Sequence, residues 1–250
     1  MKLKLKLNKI MMAVVSIFVT ATMMLVAMPT KVSAATITND QSKIAMYSRE
    51  CQWVYHATCI YTNYIKVAKS ISYGKVYLYS KGSSNQWYKQ EAQYVTSLDN
   101  DYNIYKAQCG EMGYINECYV SCEANGNTYI ENNNGKNYKE ELLGVAPIFA
   151  VRNVSGPDDR YYIGAVLKNL AYSKDVRVRY TVDNWKTYKE ASLSYRRTLE
   201  DGTELWDTTI DISGRINNGF HYALSYKVNG QTYWDNYYGK NYDSPLYSPY

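Results

Sequence analysis

Apolar and polar residues alternate along several stretches of the chain. Val176 and Val178 alternate with Arg177 and Arg179, and residues 220–229 repeat the same period of two. This period places one side of a strand on a core and leaves the other in solvent. No stretch beyond the first few dozen residues sustains a long helical period. The pattern therefore predicts an all-β protein.

Two dipeptides mark tight hairpins between these strands. Asn125-Gly126 and Asn229-Gly230 suit a type I′ turn, in which both central residues need positive φ. Short strands that are separated by turn residues at about every tenth position are typical of an antiparallel β-sandwich.

The chain contains an internal repeat. Residues 125–138 match residues 229–242 without a gap at an offset of 104, and both copies end in Gly-Lys-Asn-Tyr. Upstream the offset falls to about 100, which indicates a loop insertion in an otherwise similar unit. We therefore expect two tandem domains, over residues 40–140 and 145–243.

The first 34 residues have the features of an export signal. A lysine-rich start precedes an apolar run over residues 10–28, and small residues follow at 32–34. We interpret residues 1–34 as a cleaved signal peptide of a secreted, extracellular protein. The alternative is an uncleaved membrane anchor, because the nineteen-residue run approaches the ~20 residues that span a bilayer.

Charge and composition limit the classes of binding partner that the sequence supports. Removal of residues 1–34 leaves 23 Lys+Arg against 23 Asp+Glu, so the net charge gives no support for a nucleic-acid partner. The chain has 29 Tyr and five Trp against three Phe. A tyrosine excess suggests rings with one dry face and a solvated hydroxyl, although a codon bias toward tyrosine would explain it equally well.

All five cysteines lie in the first copy. Their spacing lacks a C-x-x-C pair and the chain has only two histidines, so we predict no zinc or other metal site. Export permits disulfides, and a Cys109–Cys118 bridge across a hairpin is the geometrically easier choice. The alternative is that these residues are small buried apolar groups. The five are Cys51, Cys59, Cys109, Cys118 and Cys122.

No catalytic constellation is visible in the sequence. His56 and His221 are the only candidates for a neutral-pH base, and neither has a recognisable partner. Residues 99–110 begin like a calcium loop but place Ile104 where glycine is required. Acidic residues around the Gly202 turn are ordinary there: Asp201, Glu204, Asp207 and Asp211. We therefore predict a non-catalytic protein without a cofactor.

Aromatic residues flank amide-rich turns in the second copy. Trp185 follows Asp183-Asn184, and Trp234 precedes Asp235-Asn236. A flat aromatic ring suits the CH face of a hexose, and an asparagine amide offers both a donor and an acceptor to sugar hydroxyls. The combination favours carbohydrate binding. Its alternative is a pair of core tryptophans beside turn-forming asparagines.

These residues carry a resemblance to a known family. The run from Val176 to Thr187, which contains Asp183-Asn184-Trp185, and the run from Tyr226 to Asn236 closely resemble carbohydrate-binding module family 21. This starch- and glycogen-binding domain occurs on fungal glucoamylases and on glycogen-targeting subunits of protein phosphatase 1. The resemblance covers nearly all of residues 145–243, and the first copy looks like a divergent member over about residues 60–138.

The resemblance implies an immunoglobulin-like β-sandwich with two α-glucan sites in the second copy. Ala223 departs from the family, which has an outward tyrosine at that position. By resemblance, the main site comprises Trp185 and Trp234 as platforms with Asp235 and Asn236 holding hydroxyls, and the second site comprises Tyr172 and Tyr195.

The first copy keeps only part of this set. Ile130 replaces Trp234, and Trp87 lies two residues beyond the position equivalent to Trp185. We therefore expect the second copy to bind better. The carbohydrate-binding candidates of the first copy are Tyr119, Asn132, Asn133, Tyr73 and Tyr94.

The favoured hypothesis is binding of an α-1,4-linked glucan, starch or glycogen, by a secreted protein that acts beside separate amylolytic enzymes. Membrane attachment would require an uncleaved signal. The alternatives are a protein-scaffold or phosphatase-targeting module and a surface-adhesion module with little sugar binding. Export argues against the phosphatase, and Lys75-Val76-Tyr77-Leu78 lacks the Phe or Trp of its docking motif.

Overall fold

A computed structural model describes residues 37–54, 58–82, 85–109, 117–155, 160–212 and 220–243. The predicted signal peptide and His56 lie outside these residues. Within them the regular elements are all strands, and no helix could span a membrane. The first nine strands are β1 (Ile37–Asn39), β2 (Ile44–Val54), β3 (Thr58–Ala68), β4 (Lys75–Lys81), β5 (Trp87–Glu91), β6 (Gln93–Ser97), β7 (Tyr102–Cys109), β8 (Glu117–Ala124) and β9 (Asn127–Glu131). The remaining strands are β10 (Ile148–Ser155), β11 (Arg160–Leu167), β12 (Lys174–Thr181), β13 (Lys189–Ser192), β14 (Ser194–Thr198), β15 (Glu204–Asp211), β16 (His221–Val228), β17 (Gln231–Asp235) and β18 (Tyr242–Asp243).

The strands form four sheets whose order repeats along the chain. Strands β5-β4-β8-β9 form one sheet, with β1 added parallel to β9, and strands β13-β12-β16-β17 repeat this order, with β18 added beside β16. Strands β2-β3-β7-β6 form another sheet, and β10-β11-β15-β14 repeat it. The other pairings are antiparallel, as the alternating pattern predicts. The division into two tandem domains stays a prediction that this repeated order favours.

Each half of the described chain has its own apolar core between its two sheets. One cluster runs from Ile44 to Tyr138 and the other from Ile148 to Val228. Val176 and Val178 are buried, whereas Arg177 on the same strand is half-buried on the outer face. The period of two therefore places the side chains as the sequence predicts.

The two predicted hairpin turns are present. Asn125 and Gly126 have φ values of 53° and 71°, and Asn229 and Gly230 have values of 52° and 78°. They join β8 to β9 and β16 to β17, so β17 starts at a fixed register with β16 and carries Trp234 on its outer face.

The segment between the halves is bound to β2 and is not a free tether. The Gly144 N–H donates to the Tyr47 carbonyl at 3.1 Å, and the Val145 N–H donates to the Met46 carbonyl at 2.8 Å. Fully buried Arg49 donates from Nη1 to the carbonyls of Lys139 and Glu141 at 2.7 and 3.2 Å. These bonds fix residues 139–146 against the first half.

A third apolar cluster joins the two halves along this segment. It is built around residues that are at most 6% exposed and that come from both sides of the connection. Its buried members are Tyr64, Ile104, Leu143, Ala146, Phe149 and Val166, and Tyr237 and Tyr238 pack against them.

The predicted Cys109–Cys118 bridge is wrong. Cys109, Cys118 and Cys122 are free and buried, whereas Cys51 is disulfide-bonded. The Cys109 and Cys118 thiols lie on either side of the Asn63 amide, at 3.2 Å from Nδ2 and 3.8 Å from Oδ1. Burial raises the pKa of Cys118 to about 12. The interpretation as small buried groups therefore holds for these three residues.

Candidate functional site

Trp185 lies in a turn that closely spaced hydrogen bonds fix. The Asp183 carboxylate accepts from the Thr187 N–H at 3.0 Å, from Thr187 Oγ1 at 2.7 Å and from Thr181 Oγ1 at 2.7 Å. The bonds from Thr187, followed by that from Thr181, lower the pKa of Asp183 to about 2. The Trp185 N–H in turn donates to Thr181 Oγ1 at 3.1 Å.

This turn holds Trp185 in an unusual backbone conformation. Asn184 and Trp185 have φ values of 57° and 64°, in the left-handed region. Asparagine adopts this conformation readily, whereas tryptophan seldom does. His221 supports the turn from β16, because its Nε2 bonds to Asn184 Oδ1 at 3.0 Å and its Nδ1 bonds to Asp243. His221 is therefore a structural brace. A strained tryptophan held by its surroundings is a typical feature of a binding site.

Trp234 lies on the outer face of β17 and is 43% exposed. The Arg179 guanidinium carbon lies 4.8 Å from the centroid of the Trp234 ring and 4.6 Å from that of Tyr188. Glu190 accepts from Arg179 at 2.7 to 2.8 Å, which fixes the guanidinium between the two rings. The cation and the carboxylate thereby hold the Trp234 ring as a rigid surface.

A shallow groove of about 370 Å³ runs between the two tryptophans. Ala223, which is 4% exposed, lies at its floor, where a larger side chain would fill the space. The Asn236 side-chain oxygen accepts from the Gly239 N–H at 2.9 Å, which leaves the amide N–H groups as its means of contacting a ligand. The lining residues are Arg179, Trp185, Tyr188, Ala223, Trp234, Asn236 and Asn241.

The structure thus brings together Trp185, Trp234 and Asn236 of the predicted main site. Sequence reasoning missed Arg179, Tyr188 and Asn241. Two signals could have found two of them: Arg179 alternates outward on β12, and Asn241 belongs to the repeated Gly-Lys-Asn-Tyr turn.

Asp235 does not face the groove, so its contact with sugar hydroxyls stays a prediction, and its burial argues against it. It is 8% exposed and points into the sandwich, where Oδ2 accepts from the Ala150 N–H at 2.7 Å and from the Tyr242 hydroxyl at 2.8 Å. Glu131 has the same role in the first half, because its Oε2 accepts from the Met46 N–H at 3.2 Å. The physical reason is the strand period, which turns neighbouring side chains to opposite faces.

The environment of Asp235 predicts a pH-dependent stability. Burial raises its pKa from 3.8 to about 6, against the hydrogen bonds that lower it. Since the folded pKa exceeds the unfolded one, the stabilisation is complete below about pH 4 and is lost as the pH rises through about 6. Relative to Asp235→Asn, the free energy of unfolding of the wild type should fall by roughly 2 kcal/mol between about pH 4 and pH 7. Urea denaturation across this range measures the difference, and parallel profiles would contradict it.

The two residues of the predicted second site lie on separate elements. Tyr172 is fully exposed in the loop between β11 and β12. Tyr195 is half-exposed on edge strand β14, where its ring packs edge-on against Trp206 at 6.0 Å. Tyr73 and Tyr94 repeat these placements in the first half, and Tyr94 packs against Tyr105 at 5.8 Å.

The equivalent surface of the first half is closed by its own rings. Tyr119 stacks on Tyr79 with centroids 4.6 Å apart and planes 4° apart, and Trp87 packs edge-on against Tyr119 at 5.0 Å. Burial, followed by the neighbouring Tyr79, raises the pKa of Tyr119 to about 12. One face of the Tyr119 ring is therefore covered by the Tyr79 ring, and Trp87 lies against Tyr119 edge-on.

The asparagines of the first-half turn are engaged within the protein. Asn132 Oδ1 accepts from the Gly135 N–H at 2.9 Å, as Asn236 does from Gly239. Asn133 donates from Nδ2 to the Asn137 carbonyl at 3.2 Å, so it is a turn-forming residue.

The acidic residues near Gly202 also serve the structure. Lys174 Nζ lies 2.8 Å from Glu204 in a buried ion pair, and Asp201 accepts from Thr203. Among the described residues, no group of three His, Cys, Asp or Glu side chains could hold a metal ion.

Comparison with known proteins finds a family match in the second half of the chain. The family model of the carbohydrate/starch-binding module (family 21) matches residues 149–244. The match covers less than half of the chain. The resemblance of the second copy is thus confirmed, whereas the first copy as a divergent member stays a prediction.

The family 21 module has relatives among phosphatase subunits. Protein phosphatase 1 regulatory subunit 3B of Homo sapiens is 37% identical over 89 residues, which cover 34% of this chain and 31% of that protein. Glycogen-binding subunit 76A of Drosophila melanogaster is 31% identical over 78 residues, which cover 30% of this chain and 12% of that protein. The chain spans under a third of the length of both relatives.

Two solved structures are similar to part of the chain. The starch binding domain of Rhizopus oryzae glucoamylase, in complex with beta-cyclodextrin and maltoheptaose, is 22% identical with a TM-score of 0.35 and covers 40% of this chain and 94% of its own. The carbohydrate binding module of the muscle glycogen-targeting subunit of Protein Phosphatase-1 is 20% identical with a TM-score of 0.34 and covers 39% of this chain and 73% of its own.

Proposed function

We propose that this protein is exported and binds an α-1,4-linked glucan, starch or glycogen, without cleaving it. The proposal rests on the groove between Trp185 and Trp234. Two aromatic rings suit the apolar faces of successive glucose units, and Asn236 and Asn241 supply donors and acceptors for the hydroxyls between them. A shallow open groove suits a polymer, because a chain can enter it anywhere along its length.

The first copy, as proposed, is a divergent module of the same kind with weaker binding. The stacked Tyr79–Tyr119 pair and Ile130 in place of Trp234 support this ranking. Two tethered sites on one polymer raise the overall affinity if both reach the chain. Export would place the protein beside separate amylolytic enzymes, which would act on the retained glucan.

Targeting of a protein phosphatase is the second candidate, because the named relatives include protein phosphatase 1 regulatory subunits. The structure provides an argument against docking at residues 75–78. Val76 and Leu78 are 2% and 1% exposed within β4, so they are part of the core and cannot be offered to a partner.

The proposal is tested by retention on insoluble starch with insoluble cellulose as the control polymer. We expect the wild-type protein to be retained on starch only, and Trp185→Ala to be retained about tenfold more weakly, because one of the two ring surfaces is lost. Absence of retention, or equal retention on cellulose, would refute glucan binding. Release of reducing sugar from soluble starch would refute the non-catalytic role.

A further inference from the structure

Two tyrosines occupy strained positions in the turn that carries Asn236 and Asn241. Tyr237 and Tyr238 have φ values of 48° and 58°, in the left-handed region that tyrosine seldom adopts. The first half has Asn133 and Asn134 at the equivalent positions, with φ values of 52° and 56°. Asparagine tolerates this conformation. The turn itself therefore calls for asparagine, and the tyrosines need another explanation.

Contacts with the first half provide that explanation. The Tyr238 ring lies 5.0 Å from the ring of Tyr64 and 6.0 Å from that of Tyr47, and its hydroxyl is 3.3 Å from Ser48 Oγ. The Tyr64 hydroxyl donates to the Tyr237 hydroxyl at 3.4 Å. Both tyrosines thus turn away from the groove and dock onto strands β2 and β3.

The same turn connects these contacts to the groove. The Asn241 N–H donates to the Asn236 carbonyl at 2.7 Å, and the Lys240 N–H donates to the Tyr237 carbonyl at 3.3 Å. A shift of Tyr237 or Tyr238 would therefore move both groove asparagines. The bound segment at residues 142–146 and the apolar cluster around Tyr64 hold the two halves together at this point.

We propose that the first half is a positioning element for the glucan site of the second half, with Tyr64 holding Tyr237 and Tyr238 and thereby the Asn236–Asn241 turn. The inference rests on the proposed function and deepens it. It assigns the divergent copy a role that does not require sugar binding by that copy. Tyr64, Tyr237 and Tyr238 are positioning residues, since none lines the groove.

The test compares two variants of the full chain with the wild type. Tyr64→Ala removes the support, and the double variant Tyr237→Asn, Tyr238→Asn restores the residues that the turn itself prefers. Titration with a soluble linear α-1,4-malto-oligosaccharide should show about tenfold weaker binding for each, a typical size for coupling between sites. Amide exchange at residues 239–241 should be faster in both. Tyr238→Phe, which keeps the ring, should retain wild-type affinity.

The double variant separates docking from local strain. If only the turn mattered, asparagines would leave binding unchanged or improve it, and that result would overturn the proposal. Affinity of Tyr64→Ala within about twofold of the wild type would also overturn it, because a coupled site should lose more. Tyr162→Asn, an exposed substitution of the same kind outside the groove and the interface, should bind like the wild type.

Failure of the proposed function gives a different result. If the wild type binds no glucan, the titration shows no binding. Amide exchange still measures how the contacts of Tyr64 with Tyr237 and Tyr238 stabilise the turn. Faster exchange at residues 239–241 in Tyr64→Ala would retain the positioning role, and unchanged exchange would overturn it.

Discussion

Gly144→Ala is expected to destabilise the protein by roughly 3 kcal/mol or more, or to prevent folding. A Cβ at this position would lie 1.8 Å from the Met46 carbonyl oxygen and 2.4 Å from its carbon, which are backbone atoms that cannot rotate away. Relief of the clash would break the hydrogen bonds of Gly144 and Val145 to β2. The change would therefore act on the connection between the two halves.

Gly230→Ala is the matched control for this prediction. Gly230 has a φ of 78°, but a Cβ there would meet nothing within 4 Å. Only the backbone conformation opposes alanine, at about 1 to 2 kcal/mol. Denaturant unfolding of both variants gives the comparison. Equal stability of the Gly144→Ala and Gly230→Ala proteins would show that Gly144 does not pack tightly against the Met46 backbone in β2.

Trp234→Ala is expected to weaken starch binding by about thirtyfold or more, which corresponds to roughly 2 kcal/mol. The substitution removes an exposed ring of the groove and one of the two rings that hold the Arg179 guanidinium. Arg179 would keep its bonds to Glu190 but lose the Trp234 ring contact, so the groove surface beside it would be less well defined. Both effects act in the same direction, so this loss should exceed that of Trp185→Ala.

Adsorption isotherms on granular starch measure this loss, and two variants control for it. Trp234→Phe keeps a ring over Arg179 and should recover part of the affinity, whereas exposed Tyr162→Ala should change nothing. Unfolding of Trp234→Ala should remain close to that of the wild type, because the side chain is 43% exposed. Starch binding that survives in Trp234→Ala would place the glucan elsewhere on the protein.

The two copies of the repeat use equivalent residues in the same structural roles. Asn132 and Asn236 accept the same turn bond from a glycine N–H, and Glu131 and Asp235 accept a buried bond from a backbone N–H of β2 and β10, respectively. The turn bond and the inward direction of the acidic side chain follow from short segments, so the sequence alone could predict them. The partners of Glu131 and Asp235 lie 85 residues away and depend on the tertiary structure. Trp234 and Asp235 are adjacent on β17, and the period of two alone turns one outward and the other inward. The resemblance suggested a sugar contact for Asp235, whereas the strand period turns its side chain inward.

The family resemblance indicated that Trp185, Trp234 and Asn236 belong to one site. The sequence pattern by itself determined the all-β fold, the two Asn-Gly hairpins and the repeat. These features depend on alternation, turn chemistry and motif spacing, which are properties of short segments. The tertiary structure alone decided the rest. Arg179 lies between Trp234 and Tyr188, Cys109 and Cys118 flank Asn63 as free thiols, and Tyr238 docks on Tyr64. Each of these arrangements joins residues that are distant in sequence, and their meeting depends on how sheets and halves pack.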